Sequence, residues 1–90
     1  MYIEYNSFGV IMVLAYVLVK IESGKDADVF DEITKLDKIR SAYTTYGIYD
    51  IIIEIDLSEI EEVDEFIFQK LRQVPGVRET VTMIVSKTLV

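Results

Sequence analysis

Between positions 14 and 22 the chain alternates as a β-strand does, with Ala15, Val17, Val19 and Ile21 on one side and Leu14, Tyr16, Leu18, Lys20 and Glu22 on the other. Ser23-Gly24-Lys25 then turns into a short helix predicted over Asp26 to Leu36, whose inner stripe is Val29, Ile33 and Leu36 with Phe30 beside it. A second strand is predicted from Ile39 to Tyr46, and Gly47-Ile48-Tyr49-Asp50 connects it tightly to a third, Ile51 to Leu57. That third strand sets Ile51, Ile53, Ile55 and Leu57 against Ile52, Glu54 and Asp56. Ser58-Glu59-Ile60-Glu61 has the form of a capping box opening a second helix with Ile60, Val63, Ile67, Leu71 and Val74 inward. Val74-Pro75-Gly76 stops it, and a last strand runs from Val77 to about Lys87.

The layout repeats itself. Leu36-Asp37-Lys38-Ile39-Arg40-Ser41-Ala42-Tyr43-Thr44 parallels Val74-Pro75-Gly76-Val77-Arg78-Glu79-Thr80-Val81-Thr82, each stretch leaving a helix and beginning a strand. Two βαβ-like halves with right-handed crossovers predict an α+β, ferredoxin-like βαββαβ sandwich, a four-stranded antiparallel sheet with two helices on one face. Helix-facing sides are taken as Val17, Val19, Ile21 and Ile51, Ile53, Ile55; the bare face then carries Leu14, Tyr16, Leu18, Ile52 and Ile84, an apolar patch expected to be covered in a dimer.

Composition sharpens this. Ninety residues form one domain, which buries only about 60–65% of the unfolded chain's surface. Yet 51% of the residues are apolar, a surplus that fits a second buried surface between copies. A net charge of −7 with scattered Lys and Arg argues against direct nucleic-acid binding. The absence of Cys and His excludes disulfides, thiolate metal sites and imidazole chemistry, and no catalytic, metal or cofactor set is expected. The longest apolar stretch, Phe8 to Val19, is shorter than the roughly 20 residues of a spanning helix, so no membrane segment is expected and a cytoplasmic location is. Residues 1–11 read as an N-terminal extension to a domain covering 12–90.

Candidate chemistry is sparse. Glu59, Glu61, Glu62, Asp64 and Glu65 fit solvated charge at a helix start better than a carboxylate pair. Tyr43, Tyr46 and Tyr49 flank the hairpin, where Gly47 permits close approach and Asp50 offers a carboxylate for an ammonium group. Thr80 and Thr82 share one side of the last strand, read as the bare face.

Three stretches, Ala15-Tyr16-Val17-Leu18-Val19-Lys20, Tyr46-Gly47-Ile48-Tyr49-Asp50-Ile51 and Val74-Pro75-Gly76-Val77-Arg78-Glu79-Thr80-Val81-Thr82-Met83-Ile84-Val85, closely resemble the ligand-binding RAM domain of Lrp/AsnC regulators, over about residues 13–87. That resemblance implies sheet-paired homodimers that join into octamers or larger rings. It implies an amino-acid effector held between dimers near Gly47, Ile48, Tyr49, Asp50, Thr80 and Thr82, though family members often have a polar or acidic residue where this chain has Ile48. It also implies a helix-turn-helix ahead of the domain in most members. Eleven leader residues are too few for one, so a stand-alone module co-assembling with a full-length regulator is expected. The alternatives are a structural assembly partner with a vestigial pocket, and a small dimeric ferredoxin-like enzyme.

Overall fold

The computed structural model describes residues 3–5 and 11–90. Its elements are β1 (Ile3–Tyr5), β2 (Ile11–Ile21), α1 (Asp26–Ile33), β3 (Ile39–Thr44), β4 (Ile51–Leu57), α2 (Ile60–Glu65) and β5 (Val77–Ile84). All strand pairs are antiparallel. β2 is central, with β4 and then β3 on one side; β5 pairs its Ala15–Ile21 portion on the other edge and β1 its first three residues. Four strands and two helices in the order β-α-β-β-α-β make the ferredoxin-like sandwich. β1 adds a short strand at the edge of β2, and it and Ile11 are the described part of the expected 1–11 extension.

Antiparallel partners directly opposite one another share a face. Val13, Ala15, Val17 and Val19 therefore line up with Leu57, Ile55, Ile53 and Ile51, and all eight are buried beneath the helices. Val29 and Ile33 of α1 join Val63, Phe66, Ile67, Leu71 and Val74 to close this core, in which, among the described residues, no polar or charged side chain is buried. With every buried side chain apolar, the core needs no internal hydrogen-bond network.

Several boundaries differ from the sequence expectation. β2 begins at Ile11 and ends at Ile21, α1 ends at Ile33 with Leu36 only packing against the core, β3 stops at Thr44 and β5 at Ile84. The capping box does not form: Glu59 takes the extended N-cap backbone with no side-chain cap bond, while the Ser58 hydroxyl donates to the Glu62 carboxylate. Ile60 is partly exposed instead of inward.

Past Glu65 the helix widens into a π turn, Phe66–Lys70, and tightens into a 3-10 turn, Leu71–Gln73. The wide turn lets the adjacent Phe66 and Ile67 both pack inward, so Phe66 is a core residue that a strict helical stripe omits. Phe68 is left 55% exposed, with the Arg72 guanidinium 5.2 Å over its ring. Val74 is extended, as a residue before proline prefers, and Gly76 at φ +100° turns the chain into β5.

Candidate functional site

The bare face is read from the register. Val81, Leu18, Ile52 and Tyr43 form one row across β5, β2, β4 and β3; Met83, Tyr16, Glu54 and Ser41 form the next, followed by Leu14 beside Asp56. Leu14, Tyr16, Leu18 and Ile52 thus stand where the sequence placed them, each half-buried. Ile84 does not: it lies opposite Ala15 and packs against the core. Thr80 and Thr82 do share one side, but it is the helix-ward side, opposite Val19 and Val17. The cause is a bulge. Ile21 pairs with Val77 and Lys20 with Glu79, leaving Arg78 as an extra residue that inverts the alternation of the rest of β5.

A polar island interrupts the apolar face. Glu54 accepts hydrogen bonds from the Tyr16 hydroxyl (2.8 Å) and the Ser41 hydroxyl (2.9 Å). Arg40, brought beside it by a second bulge between Ile39 and Ser41, stands 3.9 Å from Glu54 and 3.5 Å from Asp56. The Tyr16 bond, aided by Ser41 and Arg40 and opposed by partial burial, holds the Glu54 carboxyl below its ordinary value. A carboxyl whose folded pKa is depressed stabilises the fold fully above its unfolded value, here 4.5, and that contribution is lost as pH falls through the folded value. Glu54→Gln is therefore expected to flatten the fall in urea-unfolding midpoint between about pH 5 and 3. An unchanged slope would remove Glu54 as its source.

The predicted ligand-contact residues fall at one end of the sheet. The loop joining β3 to β4 is closed by the Thr45 amide donating to the Asp50 carbonyl (2.8 Å) and the Thr45 hydroxyl donating to the Tyr49 carbonyl (2.8 Å). Asp50 is anchored to β2 twice: its amide donates to the Val19 carbonyl, and its Oδ2 accepts the Ile21 amide, both at 2.8 Å. Thr80 pairs with the same Val19 from the other side, so Asp50 and Thr80 flank one residue of β2. Thr82 lies two residues, about 7 Å, further along. Gly47, at φ +132°, and Ile48, 75% exposed, form a loop tip open to solvent. Three surface clefts, of about 310, 410 and 120 Å³, are lined by other residues, so none of them is this loop's pocket. The sequence reading passed over Arg40, Ser41 and Glu54; the signal was Glu54 and Asp56 spaced two apart within a run of isoleucines. No group of three or more metal-ligating side chains, and no helix long and apolar enough to cross a membrane, occurs among the described residues.

The fold and its loops define the class, a ferredoxin-like α+β domain with one helix-covered and one bare sheet face. The model of the Lrp/AsnC ligand binding domain matches residues 14–90, and the chain belongs to that family. The HTH-type transcriptional regulator FL11 of Pyrococcus abyssi is 39% identical over 75 residues, covering 83% of this chain and 49% of FL11. The chain thus spans about half the length of the curated regulators it matches. The crystal structure of FFRP-DM1 superposes with a TM-score of 0.75 at 31% identity, over 82% of this chain and 99% of that one. A transcriptional regulator of Neisseria meningitidis, solved in complex with L-methionine, has the same fold: TM-score 0.76, 22% identity, 86% of this chain and 51% of that one.

Proposed function

We propose that this domain binds a free amino acid at the Gly47–Asp50 loop and self-associates through its bare sheet face, as a regulatory and non-catalytic cytoplasmic module. The observation that carries the reading is the anchoring of Asp50 at the base of the open hairpin loop, by the Val19 carbonyl and the Ile21 amide. One carboxylate oxygen of Asp50 is fixed by the Ile21 amide, which leaves the other for an ammonium group. The Thr80 hydroxyl and the amides near Gly47 are donors for a carboxylate, with Tyr49 and Ile48 shaping the side-chain pocket and Thr82 at its far margin. Because the loop tip is open in the single chain, a neighbouring copy completes the pocket, and a ligand held between copies favours one assembly over another. The methionine complex of the Neisseria regulator supports this ligand class. Dimers joining into an octamer or larger ring, and co-assembly with an HTH-type relative, give binding its route to transcription.

The test is thermal unfolding of the purified protein against each of the twenty amino acids. Ligand at about 100 times its dissociation constant adds roughly 2.7 kcal/mol, a midpoint rise of several degrees for this size. Asp50→Asn keeps an acceptor for the Ile21 amide and removes the charge; it is expected to abolish the rise with little change in the unliganded midpoint. A rise that survives Asp50→Asn overturns the assignment of Asp50. No rise with any amino acid favours a structural assembly partner with a vestigial pocket.

A further inference from the structure

At the opposite end of β4 from the hairpin, two uncommon backbone features meet at one cleft. Lys38 is the only non-glycine described with positive φ, at +73°, and it lines the cleft of about 310 Å³ together with Phe66 and Lys70, the two ends of the π turn. Left-handed non-glycine residues and π turns are both unfavourable locally and concentrate where a ligand or partner uses them. Leu57 and Phe66, both nearly buried, are the apolar residues among those that line the cleft.

Its rim carries both signs of charge, unpaired. Among the described residues, the side chains of Lys38, Lys70, Asp37 and Glu65 make no hydrogen bond and no ion pair, although all four border this one cleft. Glu62, also on the rim, accepts only the Ser58 hydroxyl. Opposite charges that border one cavity without pairing with each other complement a ligand that carries both signs at its two ends.

The internal repeat bears on Lys38 itself. It matches Gly76 in the second half, which also has positive φ, +100°, and where a Cβ would lie 2.8 Å from both Lys25 Cβ and Val29 Cγ2. At Gly76 packing demands glycine. At Lys38 the same turn holds a lysine where glycine would serve the backbone better, and that lysine gives an ammonium group to the cleft rim.

We propose that the cleft between the Asp37-Lys38 turn and the π turn of α2 binds a zwitterion whose ammonium and carboxylate are separated by a short apolar spacer, an ω-amino acid or a similar short peptide. Lys38 and Lys70 take the carboxylate, Glu62 and Glu65 the ammonium, and the spacer lies over Leu57 and Phe66. The volume is at the lower end of small-ligand pockets, roughly 300–1,000 Å³. This site stands about 20 Å from the hairpin along β4, so it is independent of the amino-acid site proposed above.

The experiment is amide-resolved NMR of the full chain titrated with glycine, γ-aminobutyrate and ε-aminocaproate, with hexylamine and hexanoate as half-ligands. Saturable shifts at residues 37–38 and 62–70 are expected for the spaced zwitterions, with both half-ligands binding at least about tenfold more weakly. Lys70→Glu is expected to weaken binding by a similar factor. Lys38→Gly relieves the backbone, so it is expected to match or exceed the parent in melting midpoint while still binding more weakly. No saturable shift, shifts confined to residues 46–50, half-ligands that bind as well, or affinity unchanged in both variants would each overturn the proposal. Asp50→Asn is expected to leave these titrations unaltered, which separates failure here from failure of the hairpin site.

Discussion

Gly76→Ala is expected to destabilise the fold by about 3 kcal/mol and to lower the melting midpoint by at least about 10 °C. Two effects combine. At φ +100° an L side chain is strained, and the new Cβ would meet Lys25 Cβ and Val29 Cγ2 at 2.8 Å. Neither neighbour swings away easily: Lys25 Cβ is fixed to the backbone ahead of α1, and Val29 is fully buried in the core. The Gly76 carbonyl also accepts the Glu22 amide at 2.8 Å, so any shift of this turn disturbs the lead into β5. Gly24→Ala is the control, since Gly24 also has positive φ, +83°, but nothing within 4 Å of an added Cβ. It is expected to lose only about 1 kcal/mol, from backbone strain alone. Equal losses in urea unfolding of the two variants would show that packing at Gly76 contributes nothing.

The proposed sheet-face dimer makes Leu18→Asp the substitution with the largest effect on assembly. Leu18 stands mid-row between Val81 and Ile52 and is only half-buried in the single chain. A carboxylate there is solvated in the monomer but would be desolvated without a partner in a face-to-face dimer, weakening it by about 3–5 kcal/mol, or more than a hundredfold. Sedimentation at micromolar concentration is expected to shift from dimer or larger species to monomer, with an unchanged far-UV circular dichroism spectrum. Gln69→Asp adds the same charge on the π turn, in the helix layer, and is expected to leave assembly intact. Should Leu18→Asp sediment as the parent does, the dimer uses another surface.

Much of the fold was legible because it rests on short-range patterns. Alternation located β2 and β4, and it correctly assigned their two faces because both strands run through their pairing with each other without a bulge. Three-and-four spacing found Val29, Ile33, Val63, Ile67 and Leu71, and the Leu36/Val74 echo anticipated two similar halves, in which the structure then shows a left-handed residue at Lys38 and at Gly76. The family resemblance drew on the same stretches and holds over residues 14–90.

Bulges and turns decided what alternation alone does not. The extra residue at Arg78 inverts β5, so Thr80, Thr82 and Ile84 turn helix-ward and Val81 and Met83 join the bare face. The π turn admits Phe66 beside Ile67, so two successive residues are buried where helical spacing would bury one. Ser58 bonds Glu62 in place of a backbone amide, since Glu59 takes the N-cap position.

The sequence by itself determined the element order, the apolar core strands and the acidic surface, all properties of residue type and local period. Only the tertiary structure decided which groups meet across strands and clefts: Asp50 with the Val19 carbonyl and the Ile21 amide, Tyr16 and Ser41 on Glu54, Lys38 and Lys70 at one cleft. Those meetings depend on register, and a single inserted residue moves a side chain from one face of a sheet to the other.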